Sequence, residues 1–363
     1  MLISLKFFVL VAFLGCMVKG KEGDELKAVV VLFRHGDRSP LSSWPNDVYY
    51  GNASLWPDGY GQLNNLGKER HYELGKWFRQ RYDDLLPQRY NPNDIYVKST
   101  DVDRTLMSAA HNLAGLYPPE GDQVWNSNIP WQAIPIHTTP RNQDPILTGE
   151  VSCPKFDKLY NEYMNSEEFQ EFNRNLAPVF QNLSEFTGYS LDELSVSSFS
   201  GLFSTITIYK GFNYPLPQWT DEYWDLIKYW GAKNFQFSTG TPDLARLRTG
   251  PFFDYLFNFF DSVRNSTVST KFLMLSAHDS TIGERLNALG VYPDASPEFA
   301  STVIWEIKSN LNEYYVNMYF KNSTNFDKIL LPGCEFDCGL EEFADIVKPV
   351  RLTVQDWTTE CYE

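Results

Sequence analysis

The chain has 363 residues, room for two domains at roughly 150 residues each, and its 43% hydrophobic and 21% charged content is that of a globular protein. Phe, Tyr and Trp supply 16% of the residues, enough apolar bulk for a large core, which excludes extensive disorder. Forty-six acidic residues against 31 basic ones give a net charge of −15, a field that repels polyanions, so nucleic acid is not an expected partner.

Lys6 precedes an uncharged run from Phe7 to Val18, which Lys19 and Gly20 close. The run is too short to span a bilayer and fits the apolar region of a secretory signal peptide, so residues 1–20 are read as a leader. No later stretch is long and apolar enough for a membrane span, and the expected location is lumenal or extracellular. Cys16 lies in the leader, leaving Cys153, Cys334, Cys338 and Cys361, an even number suited to an oxidising compartment. Four cysteines allow three connectivities. The short Cys334–Cys338 loop, opened by Pro332-Gly333, favours 334–338 together with 153–361. A metal knuckle is the rival, but no His or second Cys-x-x-Cys lies nearby, and no metal is expected. Four Asn-x-Ser/Thr sequons, at Asn52, Asn182, Asn265 and Asn322, read as glycosylated surface sites behind such a leader.

In chain order, Lys27–Phe33 (KAVVVLF) predicts a buried strand. Leu74, Trp77, Phe78, Tyr82 and Leu85 form a helical stripe behind the caps Asn64 or Asn65. Asp94–Lys98 is a second strand, and Leu106, Met107, Ala110, Leu113 and Ala114 form a helix behind Asp101 and Asp103. From about 161 to 260 the chain is helical, aromatic and poor in strands, with a break at Pro215-Leu216-Pro217. Lys271–Ala277 is a third buried strand, and 302–308 with 314–320 predict an antiparallel hairpin around Ser309-Asn310-Leu311-Asn312. The pattern predicts an α/β domain built from residues 21–155 and 263–363, with 156–262 as a smaller helical cap domain.

Three predicted strands end in polar chemistry. Arg34-His35-Gly36-Asp37-Arg38-Ser39-Pro40 sets two guanidiniums around one imidazole, with Gly36 allowing a sharp turn. Guanidinium donors match phosphate oxygens, and open α/β sheets bind ligands beyond the carboxyl ends of their strands. Ser276-Ala277-His278-Asp279-Ser280-Thr281 sits at a strand-to-helix junction, with Thr281 and Glu284 spaced as a capping box. Ser99-Thr100-Asp101-Val102-Asp103-Arg104 puts Arg104 in a first helical turn, against the macrodipole preference. One anion pocket holding Arg34, His35, Arg38, Arg104, His278 and Asp279 is the economical account. His71 and His111 read as packing or surface residues of helices, and the apolar segment from Trp131 to His137 could reach a subunit interface.

These residues carry a family resemblance. RHGDRSP (34–40), GQLNNLGKERHYELG (61–75), STDVDRTLMSA (99–109), SAHD (276–279), LPGCEFDC (331–338) and QDWTTEC (355–361) resemble, in order and spacing, the histidine acid phosphatases. This branch of the histidine phosphatase superfamily includes prostatic-type and lysosomal-type acid phosphatases. The resemblance implies a phosphoglycerate-mutase-like mixed sheet flanked by helices, with a helical cap. It implies hydrolysis of phosphate monoesters through a phosphohistidine, in the secretory route or the lysosome, without metal or organic cofactor. It makes His35 the nucleophile and Asp279 the proton donor, with Arg34, Arg38, Arg104 and His278 on the phosphate, and it allows a homodimer. Phytase-like and lysophospholipid-selective enzymes would share these residues. A phosphoglycerate-mutase-like cytosolic enzyme fits the leader and sequons poorly, and a binding glycoprotein on a dead scaffold would be expected to have lost His35 or Asp279.

Overall fold

β1 (Glu25–Arg34) is buried continuously from Ala28 onward. Ala28, Val30 and Leu32 join a core on one face of the sheet, while Val29, Val31 and Phe33 join a core on the other. That double coverage is why the strand reads as an unbroken apolar run. The computed structural model describes residues 24–363, so the expected leader, residues 1–20, lies outside the described residues.

The chain continues through α1 (Asn65–Arg81), β2 (Ile95–Thr100), α2 (Asp103–Leu116) and the short β3 (His137–Thr139). Helices α3 (Pro154–Met164), α4 (Glu167–Thr187), α5 (Ser198–Gly211), α6 (Gln218–Glu222), α7 (Trp224–Phe237) and α8 (Pro242–Arg264) follow. The return path runs through β4 (Phe272–Ala277), α9 (Asp279–Ala288), β5 (Thr302–Asn310), β6 (Glu313–Lys321), β7 (Phe326–Ile329), β8 (Cys338–Gly339), α10 (Leu340–Val347) and α11 (Val354–Tyr362).

The strands form one mixed sheet in the order β3-β2-β4-β1-β5-β6-β7, with β8 pairing on β6. β3, β2, β4 and β1 run parallel, and β5 to β8 add antiparallel pairs. The fold is the mixed α/β arrangement expected from the alternating pattern. β3 was not anticipated, because three exposed or half-exposed residues carry no strand periodicity. The predicted hairpin is tighter than expected: β5 and β6 pair out to Asn310 and Glu313, leaving Leu311 and Asn312 as a two-residue turn with positive φ at both.

α1 and α2 cover one face of the sheet, with Leu74, Phe78 and Leu113 beside Val29, Val31 and Phe272. α8, α9 and α10 cover the other, with Phe252, Phe253, Leu256, Ile282 and Phe343 against Val30, Leu32 and Trp305. A separate aromatic core unites Phe169, Phe199, Trp219 and Trp230 of α4 to α7 with Trp44 and Trp56 from the loop after β1. α8 therefore packs with the sheet, and the boundary drawn at residue 262 does not follow the packing. Sulfurs join Cys153 to Cys361, tying the start of α3 to α11, and Cys334 to Cys338.

Local signals were partly right about helix starts. Asn64 caps α1, its side chain accepting from the Gly67 N–H at 2.9 Å. α2 begins at Asp103, behind Val102 and without a side-chain cap. α9 starts one turn early: His278 is the N-cap, and Thr281 Oγ1 faces the His278 N–H at 3.4 Å. Glu284 is drawn away from any capping box by Arg248, Arg285 and Ser238.

Candidate active site

β2, β4 and β1 are neighbours and parallel, so their carboxyl ends lie side by side, Ser99 opposite Ser276 and Arg34 opposite Ala277. This register brings the three polar segments together. Gly36 makes the closure possible: a Cβ there would lie 2.5 Å from Gly67 O, and one on Gly67 would lie 2.3 Å from Asp37 O. The loop after β1 and the N-terminus of α1 can touch only because neither residue has a side chain.

His35 is 2% exposed at the centre of the group. Its Nδ1 donates to the Gly36 carbonyl at 2.8 Å, which leaves Nε2 as the free lone pair. Burial, then Arg104, Arg34 and Arg38, hold the imidazole well below its ordinary value, so the ring stays neutral in acid. The His278 ring lies 5.7 Å away, edge on. His278 takes the Arg104 Nη2 donor at 3.4 Å and reaches Thr100 Oγ1 at 3.1 Å. Burial and Arg104 lower this imidazole too, against the opposing pull of Asp279.

Arg34 and Arg38 are 6% and 5% exposed. Arg34 donates to the Pro297 carbonyl at 2.6 Å, pairs with Asp279 at 2.7 Å and stacks over Phe299 at 4.1 Å. Arg38 donates to the Ser39 carbonyl at 3.1 Å and to Ser204 Oγ on α5 at 3.2 Å. Burial, with Arg34 and Arg104 beside it, pushes Arg38 down to about 9. Three guanidiniums held this close repel one another and want an anion between them. Burial alone would push the Asp279 carboxyl up, but Arg34, Arg38 and His278 outweigh it, and the group sits below its usual value.

Several contributors carried no local signal. Arg70 on α1 makes a two-bond ion pair with Asp37, 2.7 and 3.2 Å. Ser108 links the Gly36 N–H to the Arg104 carbonyl, at 3.0 and 2.7 Å. Ser204, Pro297 and Phe299 come from segments far away in sequence. A cleft of about 610 Å³ opens beside Arg34 and Arg38, walled by Leu55, Trp56, Phe203, Ile208, Phe212 and Phe299. Most of that wall is apolar.

The remaining histidines lie outside the group. His71 is buried and donates from Nε2 to the Arg34 carbonyl at 3.1 Å. His111 donates to Met107 O, and exposed His137 stacks on Tyr96 at 4.8 Å. Among the described residues, Cys334, Cys338 and Glu342 are the grouping with metal-donor atoms in reach of one another, but both sulfurs are already joined in the disulfide.

Comparison with known proteins places this architecture. Residues 25–325 match the family model of the histidine phosphatase superfamily (branch 2). The chain is 37% identical to prostatic acid phosphatase of Bos taurus, over 99% of this chain and 93% of that one. It is 38% identical to lysosomal acid phosphatase of Xenopus laevis, over 97% of this chain and 82% of the relative. Among solved structures it is similar in fold to Hafnia alvei phytase in complex with myo-inositol hexakis sulphate, with a TM-score of 0.71 at 18% identity, covering 92% and 98% of the two chains.

Proposed function

The chain belongs to branch 2 of the histidine phosphatase superfamily, and on that premise we propose that it is an acid phosphatase that hydrolyses phosphate monoesters through a phosphohistidine on His35. One observation carries the reading: three arginines act on a buried imidazole whose Nδ1 is tied to a carbonyl, so that Nε2 keeps its lone pair for a substrate.

Arg34, Arg38 and Arg104 take the phosphoryl oxygens and stabilise the charge that develops during transfer. His278, neutral beside Arg104, completes the phosphate contacts. Nε2 of His35 forms the N–P bond as the ester P–O bond breaks. Asp279 supplies a proton to the departing alkoxide. In the free site that carboxyl is ionised against Arg34. An incoming phosphate competes for Arg34 and brings negative charge, both of which favour protonating Asp279. Water then attacks phosphorus, Asp279 recovers a proton, and inorganic phosphate leaves. A neutral His35 and a protonated Asp279 coexist in acid, hence an acid optimum.

The alcohol or phenol half of the ester occupies the apolar cleft beside Arg34 and Arg38. Substrates are small phosphate monoesters, and the protein works in the secretory route, outside the cell or in the lysosome, as its prostatic and lysosomal relatives do. No helix among the described residues is long and apolar enough to cross a membrane. A homodimer forms through the segment from Trp131 to His137 that leads into β3, where Trp131 is exposed.

The test is an assay of wild type and His35→Ala on an aryl phosphate, from about pH 3 to about pH 9, with and without chelator. Acid activity that resists chelator and is lost in His35→Ala is the expected outcome. Activity that survives the substitution rejects the nucleophile, and a neutral or alkaline optimum rejects the acid–base assignment.

A further inference from the structure

We infer that N-linked glycans on Asn52 and Asn322 frame the mouth of the substrate cleft and restrict the enzyme to small phosphate monoesters, shutting out phosphorylated proteins. The inference rests on the phosphatase reading above.

The reacting groups lie deep: His35 and Arg34 are almost fully buried, so a substrate must reach them through the cleft. Among the exposed residues of the cleft lining, which mark its mouth, are Pro57, Asp58, Glu298 and Ser323. Two of the four sequons adjoin these residues in the chain. Asn52 is exposed and caps the single helical turn Ala53–Leu55, and Leu55 and Trp56 are cleft wall. Asn322 directly precedes Ser323, whose hydroxyl donates to Glu298 at 2.6 Å and fixes that loop against the opening.

Both side chains are suitably presented. Asn52 Oδ1 accepts from the Ser54 N–H and hydroxyl, and Asn322 Oδ1 accepts from the Thr324 and Asn325 N–H groups. Each amide oxygen is engaged within its own turn, and these bonds leave Nδ2 unused. Asn182, by contrast, donates from Nδ2 to Tyr223 at 2.9 Å. Asn265 follows α8 and precedes β4, whose far end carries the site. In the secretory lumen, Nδ2 displaces the lipid diphosphate of a lipid-linked oligosaccharide. A C–N bond forms, the amide loses a proton, and the lipid diphosphate leaves. The product is bulky and hydrated. Two such chains beside the opening leave passage for a small ester. A phosphorylated side chain on a protein would have to bring its bulkier carrier past them.

The test uses the full-length enzyme secreted from an animal cell line. Mass spectrometry reads occupancy at each sequon, and kcat/KM is measured on an aryl phosphate and on phosphocasein. Both Asn52 and Asn322 should carry glycan. Asn52→Gln with Asn322→Gln should raise kcat/KM on phosphocasein about tenfold while the aryl phosphate value stays put, and Asn265→Gln should change neither. If the double variant is poorly secreted, Ser54→Ala with Thr324→Ala removes the same sequons, and endoglycosidase trimming of folded wild type makes the same comparison. An unoccupied Asn52 or Asn322, or phosphocasein hydrolysis unchanged by glycan removal, overturns the inference. Wild type silent on the aryl phosphate instead overturns the phosphatase reading, and this inference with it.

Discussion

Arg34 and Asp279 meet in an ion pair, Nη2 to Oδ2 2.7 Å, between a buried arginine and a carboxylate at the first turn of α9. The pair joins the ends of β1 and β4, and it ties up two groups to which the proposed mechanism assigns different tasks. Arg34 is needed by the phosphate, and Asp279 must acquire a proton. Ligand binding should therefore be coupled to protonation.

Because the free carboxyl lies below its ordinary value, binding of inorganic phosphate near pH 5 should take up a proton as Asp279 loses Arg34. Calorimetry in two buffers of different ionisation enthalpy measures that uptake. Asp279→Asn should abolish it, and equal uptake in the variant would assign the proton elsewhere.

His35→Ala should lower turnover of phosphate monoesters by about a thousandfold or more with the fold intact. Rapid acid-free quenching should trap phosphoenzyme in wild type and none in the variant. Circular dichroism checks that the loss is chemical.

Asp279→Asn should slow esters with poor alkoxide leaving groups far more than activated aryl esters, which leave without a proton. A plot of log kcat/KM against leaving-group pKa should steepen. An equal loss across the series would mean that Asp279 only positions Arg34.

His71 is buried and its imidazole is held down to about 3, chiefly by burial, although its bond to the Arg34 carbonyl opposes the shift. Between the unfolded value near 6.5 and the folded value near 3, the unfolded chain binds the extra proton. Stability therefore falls as pH drops through that window. His71→Gln, which can keep the donor, should flatten this acid limb in urea melts taken at pH 6.5 and 4, a difference on the order of 1–3 kcal/mol.

Gly75 and Gly115 let α1 and α2 cross in close contact. A Cβ on Gly75 would lie 1.9 Å from Asn112 O, and one on Gly115 would lie 2.1 Å from Tyr72 O. Gly75→Ala should cost about 1–3 kcal/mol or more by forcing the helices apart. The melting temperature reports it, while activity per folded molecule should change little.

The amino-acid sequence by itself determined the elements whose signals are local. β1, β2 and β4 announce themselves as apolar runs, α1 by its stripe and Asn64 cap, and the β5–β6 hairpin by its Asn-rich turn. The six residues of the candidate site could be named because each lies at or just beyond the end of such a run. Only the tertiary structure decided that β2, β4 and β1 are adjacent and parallel, which converts three separate strand ends into one pocket. It also decided that α8 packs on the sheet, and that Ser204 and Phe299 reach Arg38 and Arg34 from distant segments. It put the start of α9 at His278 rather than Thr281, and gave Glu284 to Arg248 and Arg285. Periodicity and turn chemistry act over a few residues and can be read along the chain. Strand order, helix docking and ion pairing depend on which distant surfaces bury one another.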